Sequence, residues 1–363
     1  MNILFVAPRF HTNQFELVKS LISEGHKIDF HVSLIRNTEN HSLITPERFQ
    51  ESRISSILKK FKPKSINEFW YLPSFFAISK IAKKIISSDL IIIRSFNRPQ
   101  SILYIFLSVI FRKKIFLYTQ GEISKLKRYE NFLTKKIFYA LNLFWFTPIN
   151  NHSFKDTSLS SRIFFLPFVC EKKCYEREFI IDRKNLNFLS IGKYEKRKNH
   201  ELTIRALRTF AIKKNINIRL TIVGQCFKKD EVKYFNKIKQ SYKNTKNLKI
   251  NFLKNIDHFK IKDLYKKNQF FILLSENEAA AYSPLEAISY GLITIGSNKN
   301  GTRSYVSESP LGFVSRLNQD ALMNSIENAY SQYNEEEYSK TISLETTFSN
   351  WKKTLYRNTK LRF

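Results

Sequence analysis

The chain has 363 residues, 43% of them apolar and 15% aromatic, with three cysteines and a formal net charge of +30. That length suits two domains of ordinary size, the apolar content excludes a chain held open by its charge, and so few cysteines exclude a disulfide framework. The charge is no terminal tail, because residues 1–175 and 176–363 each carry a net +15; it suits nucleic acid, an anionic membrane face or phosphate-bearing small molecules without choosing among them.

The N-terminal MNILFVAPRF has neither the basic region nor the cleavage site of a secretory leader and reads as a first buried strand. A helical period follows over FELVKSLISEG (15–25), with Gly25 suited to a left-handed C-cap, and then KIDFHVS (27–33) as a second strand. Residues 54–88 mix lysine with Phe, Trp and Tyr. They read either as a helix pair docking on anionic lipid or as ordinary amphipathic helices packing on a sheet. DLIIIRS (89–95), a helix at 100–111 and KIFLYTQ (114–120) continue the alternation. The longest nearly unbroken apolar run, Ile102 to Phe111, is far short of the roughly 20 residues that span a bilayer. Cys170 and Cys174 have three residues between them, where a zinc or redox pair would have two. These features predict a cytoplasmic protein, soluble or peripheral on the membrane.

After a less regular stretch at 168–186 the pattern restarts. LNFLSIGKY (186–194), IRLTIVGQ (218–225), LKINFL (248–253) and QFFILLS (269–275) are strands, separated by helices at 199–213, 230–243 and 259–267. Near-continuous apolar strands between helices predict parallel sheets covered on both faces. The fold class is therefore α/β, with two doubly wound Rossmann-like domains facing across a cleft. The expected bounds are 1–170, a linker at 171–185, a second domain at 186–345 and a final helix at 346–363 crossing back to the first. Ligands of such sheets sit beyond the carboxyl ends of the strands, which directs attention to the loops after Ala7, Ser95, Gln120, Ile191, Val223 and Ser275.

Neither G-x-G-x-x-G nor a Walker loop occurs among the eight glycines, and there is no D-x-D to clamp a metal on a diphosphate. Any phosphate must meet side-chain cations or a helix N-terminus. The stretch SENEAAAYSPLEAISYG (275–291) places Glu278 on a loop after a strand and Glu286 in the first turn of a helix opened by Pro284. A carboxylate can accept both hydroxyls of a ribose or sugar diol. Taken alone, Glu286 reads equally as a first-turn carboxylate complementing the helix dipole, and Glu278 as a solvated loop residue.

The surroundings of this pair resemble glycosyltransferase family 4 (group 1), the retaining nucleotide-sugar transferases of GT-B fold. Their hallmark E-x7-E, continuing L-E-A-x-x-x-G, reads here E278-AAAYSPL-E286-AISYG. SIGKYEKRKNH corresponds to the family's G-R-x-x-x-x-K-G, which places Gly192, Lys193 and Lys198; LTIVGQ and the late FSNWKKTLY (348–356) also fit. The resemblance implies that Glu286 holds the ribose hydroxyls, Glu278 a donor-sugar hydroxyl, and Lys193 and Lys198 the diphosphate. By the same resemblance Gly192, Ala280, Ala281, Ser283, Pro284 and Leu285 line the donor, and no metal or other cofactor is needed, since two cations can stabilise the leaving diphosphate. Lys193 stands where the family has arginine, and Ala279 to Ala281 replace the common Phe-Gly. The glycine-rich loop after the first strand is replaced by PRFHTNQ, and the later histidine by YTQGE. Arg9, His11, Thr12, Asn13, Gln120 and Glu122 become the candidates for touching phosphate or acceptor. These differences bear on donor and acceptor identity rather than on reaction class.

The expected function is retaining, metal-independent transfer of a sugar from a nucleotide diphosphate to a glycan acceptor. A lipid-linked acceptor is expected, at an anionic membrane surface, in capsule, O-antigen or other lipopolysaccharide biosynthesis. No nucleic acid partner is expected. The alternatives are a nucleotide-sugar epimerase or hydrolase of the same fold, a basic nucleic-acid-binding protein, and a non-catalytic scaffold.

Overall fold

The structure is a computed structural model, and it describes residues 1–36, 39–61, 71–96, 98–120, 132–149, 162–170, 173 and 182–334. Glu122, Cys174, most of the expected linker 171–185 and the expected final helix 346–363 lie outside the described residues. The chain divides into two compact units, Met1–Val169 and Cys170–Thr347.

In the first unit the elements run β1 (Asn2–Ala7), α1 (Thr12–Ser23), β2 (Lys27–Val32), α2 (Arg53–Phe61), α3 (Phe75–Ser87), β3 (Leu90–Arg94), α4 (Pro99–Ile110), β4 (Ile115–Tyr118), α5 (Phe132–Ala140), β5 (Leu143–Thr147) and β6 (Ile163–Phe165). The six strands pair in parallel in the order β2-β1-β3-β4-β5-β6. Strand β1 is apolar from Ile3 to Ala7 because both faces of the sheet are covered there. Ile3, Phe5 and Ala7 enter one core while Leu4 and Val6 enter the other, the expected signature of a parallel sheet under helices.

Helix α1 starts three residues before the expected position, because the His11 N–H donates to Gln14 Oε1 at 3.1 Å and so caps an earlier turn. Gly25 follows its end at φ +81°, the left-handed conformation that a glycine adopts without cost. Strands β5 and β6 were not anticipated. LFWFT follows α5 after only Leu141 and Asn142, and Asn142 turns the chain at φ +49° without the glycine that would have marked a boundary.

In the second unit the order is β7 (Asn185–Ile191), a 3-10 turn (Lys196–Lys198), α6 (His200–Lys214), β8 (Asn217–Gly224), α7 (Lys229–Ser241), β9 (Leu248–Lys254), α8 (His258–Lys267), β10 (Phe270–Leu273), α9 (Ser283–Ser289), β11 (Ile293–Ser297), α10 (Arg303–Glu308), β12 (Gly312–Ser315) and α11 (Gln319–Asn334). These strands are also parallel, in the order β12-β11-β10-β7-β8-β9. Both units are thus doubly wound α/β, as the alternating pattern predicts. In the second sheet the winding reverses between β7 and β10, the switch point at which sheets of this kind bind ligands.

Among the described residues each unit buries one histidine completely, His31 in the first and His200 in the second. His31 Nδ1 lies 2.6 Å from the Tyr104 hydroxyl, and burial lowers its pKa to about 4. Burial also lowers His200 to about 4. The unfolded chain takes up these protons near pH 6.5 and the folded chain does not. The stability they contribute is therefore full above pH 6.5 and is lost as pH falls towards 4, at about 1.4 kcal/mol per pH unit for each histidine. The melting temperature is expected to drop between pH 7 and pH 5, and His31→Gln to flatten the drop for the first unit. Identical pH slopes for the two proteins would show that His31 does not stay neutral.

Candidate nucleotide-sugar site

The switch point between β7 and β10 is framed by the loops that leave these two strands. After Ile191 the chain passes Gly192, Lys193 and Tyr194 into the 3-10 turn, which ends at Asn199 with φ +52°. After Leu273 it passes Ser275 and Glu278 into α9. Three bonds tie the loops together: Glu276 N–H to Arg197 O at 2.7 Å, the Asn199 side-chain amide to Leu274 O at 2.9 Å, and Ser283 Oγ to Ile191 O at 3.2 Å.

Two glycines allow this closeness. A Cβ on Gly224, at the end of β8, would stand 2.2 Å from the Gly192 carbonyl oxygen and 3.0 Å from the Tyr194 ring. Neither can retreat: Gly192 N–H donates to Val223 O, and the buried Tyr194 hydroxyl lies 2.9 Å from Ile222 O and 2.8 Å from Leu253 O. A Cβ on Gly192 would press on Leu273 and on the Lys198 stem at 3.3–3.4 Å. Gly224→Ala is expected to destabilise the second unit by about 3 kcal/mol or more, since overpacking here moves backbone. In thermal unfolding that is a melting temperature roughly 6–12 °C lower; an unchanged transition would show that the loop yields freely.

The turn buries Lys198, whose side chain is 7% exposed, and aims its ammonium at the Glu278 carboxylate. Lys198 Nζ bonds Glu278 Oε2 and lies 3.2 Å from Ser275 Oγ. Arg197 Nη1 reaches the same Oε2 at 2.5 Å, and its Nε takes Glu195 Oε2 at 2.6 Å. Burial alone would raise the Glu278 carboxyl, but Lys198 and Arg197 outweigh it and hold it below the usual carboxylate range. Loss of water lowers Lys198 from the ordinary lysine value, with Glu278 opposing part of that. Glu278 is therefore a fixed anion with two cations on one oxygen, and the solvated-loop reading does not apply to it.

Glu286 lies in the first turn of α9, as expected, and its Oε2 accepts the Tyr265 hydroxyl from α8 at 3.0 Å. Tyr265 is 1% exposed and stacks on Tyr290 at 5.2 Å, so the carboxylate rests on a rigid support. Lys193 is 42% exposed, with Nζ 3.9 Å from Glu231 Oε1. Pro284, Leu285 and Ala281 have buried side chains, so they face any ligand only through backbone. Ala280 and Ser283 are half-buried on the same loop.

Arg197, Tyr265 and Asn300 are site residues that the sequence reading missed. Asn300, fully buried, accepts from Ala281 N–H at 3.3 Å and from Thr302 N–H at 3.2 Å through Oδ1, and Gly301 N–H donates to Glu278 O. The loop after β11 thus fixes the Glu278 loop from behind. Its signal in the sequence was the small-polar turn SNKNGT, which names no particular asparagine.

Arg94 links several of the first-unit candidates, its charge acting on His11 and its guanidinium donating to Gln120. Arg9 pairs with Glu39 at 3.2 Å. His11 caps α1, and burial, with Arg94, Arg9 and Arg36, lowers its pKa to about 3, so it is neutral. Asn13 is buried with no bond to Oδ1 among the described residues, and Gln120 Oε1 accepts from Arg94 at 2.7 Å. Thr12 opens α1.

Two doubly wound parallel units in one chain are the GT-B architecture, and comparison with solved structures agrees over nearly the whole chain. It is similar to a glycosyltransferase from Rickettsia africae (16% identity, 98% of this chain and 97% of that one, TM-score 0.64). It is also similar to Anabaena Alr3699/HepE in complex with UDP and glucose (13%, 99% and 97%, TM-score 0.62). A third is WaaG, a glycosyltransferase involved in lipopolysaccharide biosynthesis (13%, 98% and 98%, TM-score 0.61). No curated protein sequence matches this one. Residues 172–343 match the family described as glycosyl transferases group 1. Nearly all of the second unit is thus a group 1 glycosyltransferase domain.

Proposed function

We propose that the protein transfers a sugar, with retention, from a nucleoside diphosphate sugar to a hydroxyl of a lipid-linked glycan on the cytoplasmic membrane face, in bacterial surface polysaccharide synthesis. The observation that carries the donor half is the pairing of two supported carboxylates, Glu278 and Glu286, with the cations of the Gly192–Lys198 loop at the switch point of the second sheet. Structures of one similar protein, Anabaena Alr3699/HepE, with UDP and with UDP-glucose make UDP sugars the donors to test first.

In this reading Glu286, steadied by Tyr265, accepts the two ribose hydroxyls. Glu278 Oε1, which neither cation contacts, accepts a hydroxyl of the donor sugar. Lys198, Arg197 and Lys193 stabilise charge that grows on the diphosphate as its bond to the anomeric carbon breaks. The acceptor oxygen bonds to that carbon on the same face, and its proton passes to an oxygen of the departing phosphate, giving glycoside and nucleoside diphosphate. Fixed side-chain cations do the work a bound metal would otherwise do, so metal independence belongs to the same proposal.

The test is incubation with UDP sugars, with and without a polyprenyl-diphosphate-linked acceptor, followed by NMR of the product. The expected result is UDP release that depends on acceptor and a product with the donor's anomeric configuration. Free sugar formed equally without acceptor would make the protein a hydrolase, and an isomerised nucleotide sugar an epimerase.

A further inference from the structure

Half of the large apolar side chains that stand exposed on the described residues fall between Ile54 and Ile110, on α2, α3 and α4. On α3 Phe75 is 82% exposed and Phe76 85%, with the buried Ala77, Ile81 and Ile85 anchoring the opposite face to the sheet. On α4, which packs beside α3, Ile102, Phe106 and Ile110 are more than half exposed at i, i+4 and i+8, one continuous stripe. Aromatic side chains this large in water forgo the burial that the rest of the molecule achieves.

Along α3 and α4 the charges are mostly positive. From Tyr71 to Tyr118 the chain carries eight basic side chains and one acidic, Asp89. A groove of about 400 Å³ is lined by Glu47, Phe49, Lys80, Lys83, Lys84 and Ser87. Lys84 is engaged by Asp29 at 2.7 Å, whereas Lys80 and Lys83 are exposed. Lys80 sits one turn after Phe76, so an aromatic ring and a cation share one side of the helix. A second copy of this chain would bring the same positive charge to the contact and be repelled. An anionic bilayer complements both features, taking the rings at headgroup depth and attracting the lysines.

We propose that α3 and α4 form the surface by which the enzyme docks on an anionic membrane, with Phe75 and Phe76 inserted and Lys80 and Lys83 in contact with lipid phosphate. This deepens the lipid-linked acceptor reading and rests on it, while the donor site in the second unit stands independently.

The full-length protein would be tested by flotation with vesicles of phosphatidylcholine alone and of phosphatidylcholine with 30% phosphatidylglycerol, beside Phe75→Ser/Phe76→Ser and Lys80→Gln/Lys83→Gln. The wild type is expected to bind only the anionic vesicles, with the phenylalanine pair worth about tenfold or more in partition and the lysine pair about thirtyfold. UDP affinity, measured without vesicles, is expected to stay unchanged in both variants, which shows that they fold and separates this test from that of the donor site. No binding by the wild type, or binding that neither variant weakens, would overturn the proposal. So would concentration-dependent self-association in light scattering that Phe75→Ser/Phe76→Ser abolishes, because that would assign the face to a second copy.

Discussion

Lys198→Met is expected to lower turnover by roughly 10²–10³-fold while leaving donor affinity much less affected, because in the proposed reading Lys198 stabilises charge that grows on the diphosphate only as the glycosidic bond breaks. Methionine keeps the length of the side chain and its packing under Gly192. Glu278 is not orphaned by the change, since Arg197 still reaches its Oε2 at 2.5 Å, so the stability cost stays near about 1–3 kcal/mol. Steady-state kinetics with the melting curve of the same protein separate the two effects. A turnover close to wild type in a folded Lys198→Met protein would remove Lys198 from the reaction and leave it as a counter-ion for Glu278. Lys193, 42% exposed, works in a wetter place where its charge is better screened, and its removal should cost less.

The second large effect is expected at Glu286. A ribose diol donating two hydrogen bonds to one carboxylate is worth roughly 1.5–3 kcal/mol per bond, so Glu286→Ala should weaken nucleotide binding by about 100-fold or more. The support under this carboxylate gives the loss its meaning. Tyr265 donates to Oε2 from a fully packed position, which holds the acceptor oxygens in place before any ligand arrives and spares the entropy of ordering them on binding.

Much of this site was legible in the sequence, for physical reasons. A strand buried on both faces leaves an unbroken apolar run, so FFIL and NFLSI marked β10 and β7, and Pro284 with Gly291 bracketed α9. Glu278 and Glu286 could therefore be placed on loop and helix. Direction was harder to read. In KYEKRKN four cationic side chains are chemically alike, and which of them turns inward depends on the 3-10 turn and the left-handed Asn199 that closes it; Arg197 was passed over for that reason. Tyr265 lies 21 residues before its partner Glu286, and only the pairing of β10 beside β7 and the packing of α8 bring the two together. Asn300 was hidden in a turn whose composition announces a bend and nothing about which side chain would be buried. In the first unit the histidine candidate His11 proved to cap a helix and to be neutral.

Whether Glu286 and its neighbours hold a nucleotide is decided by titration calorimetry of UDP, GDP and dTDP into the wild type and Glu286→Ala, with short DNA as competitor at two salt concentrations. Saturable binding of one nucleotide, a loss of about 100-fold in Glu286→Ala and no competition by DNA are expected. A wild type that binds no nucleotide, or a folded Glu286→Ala that binds as tightly as the wild type, would contradict that reading.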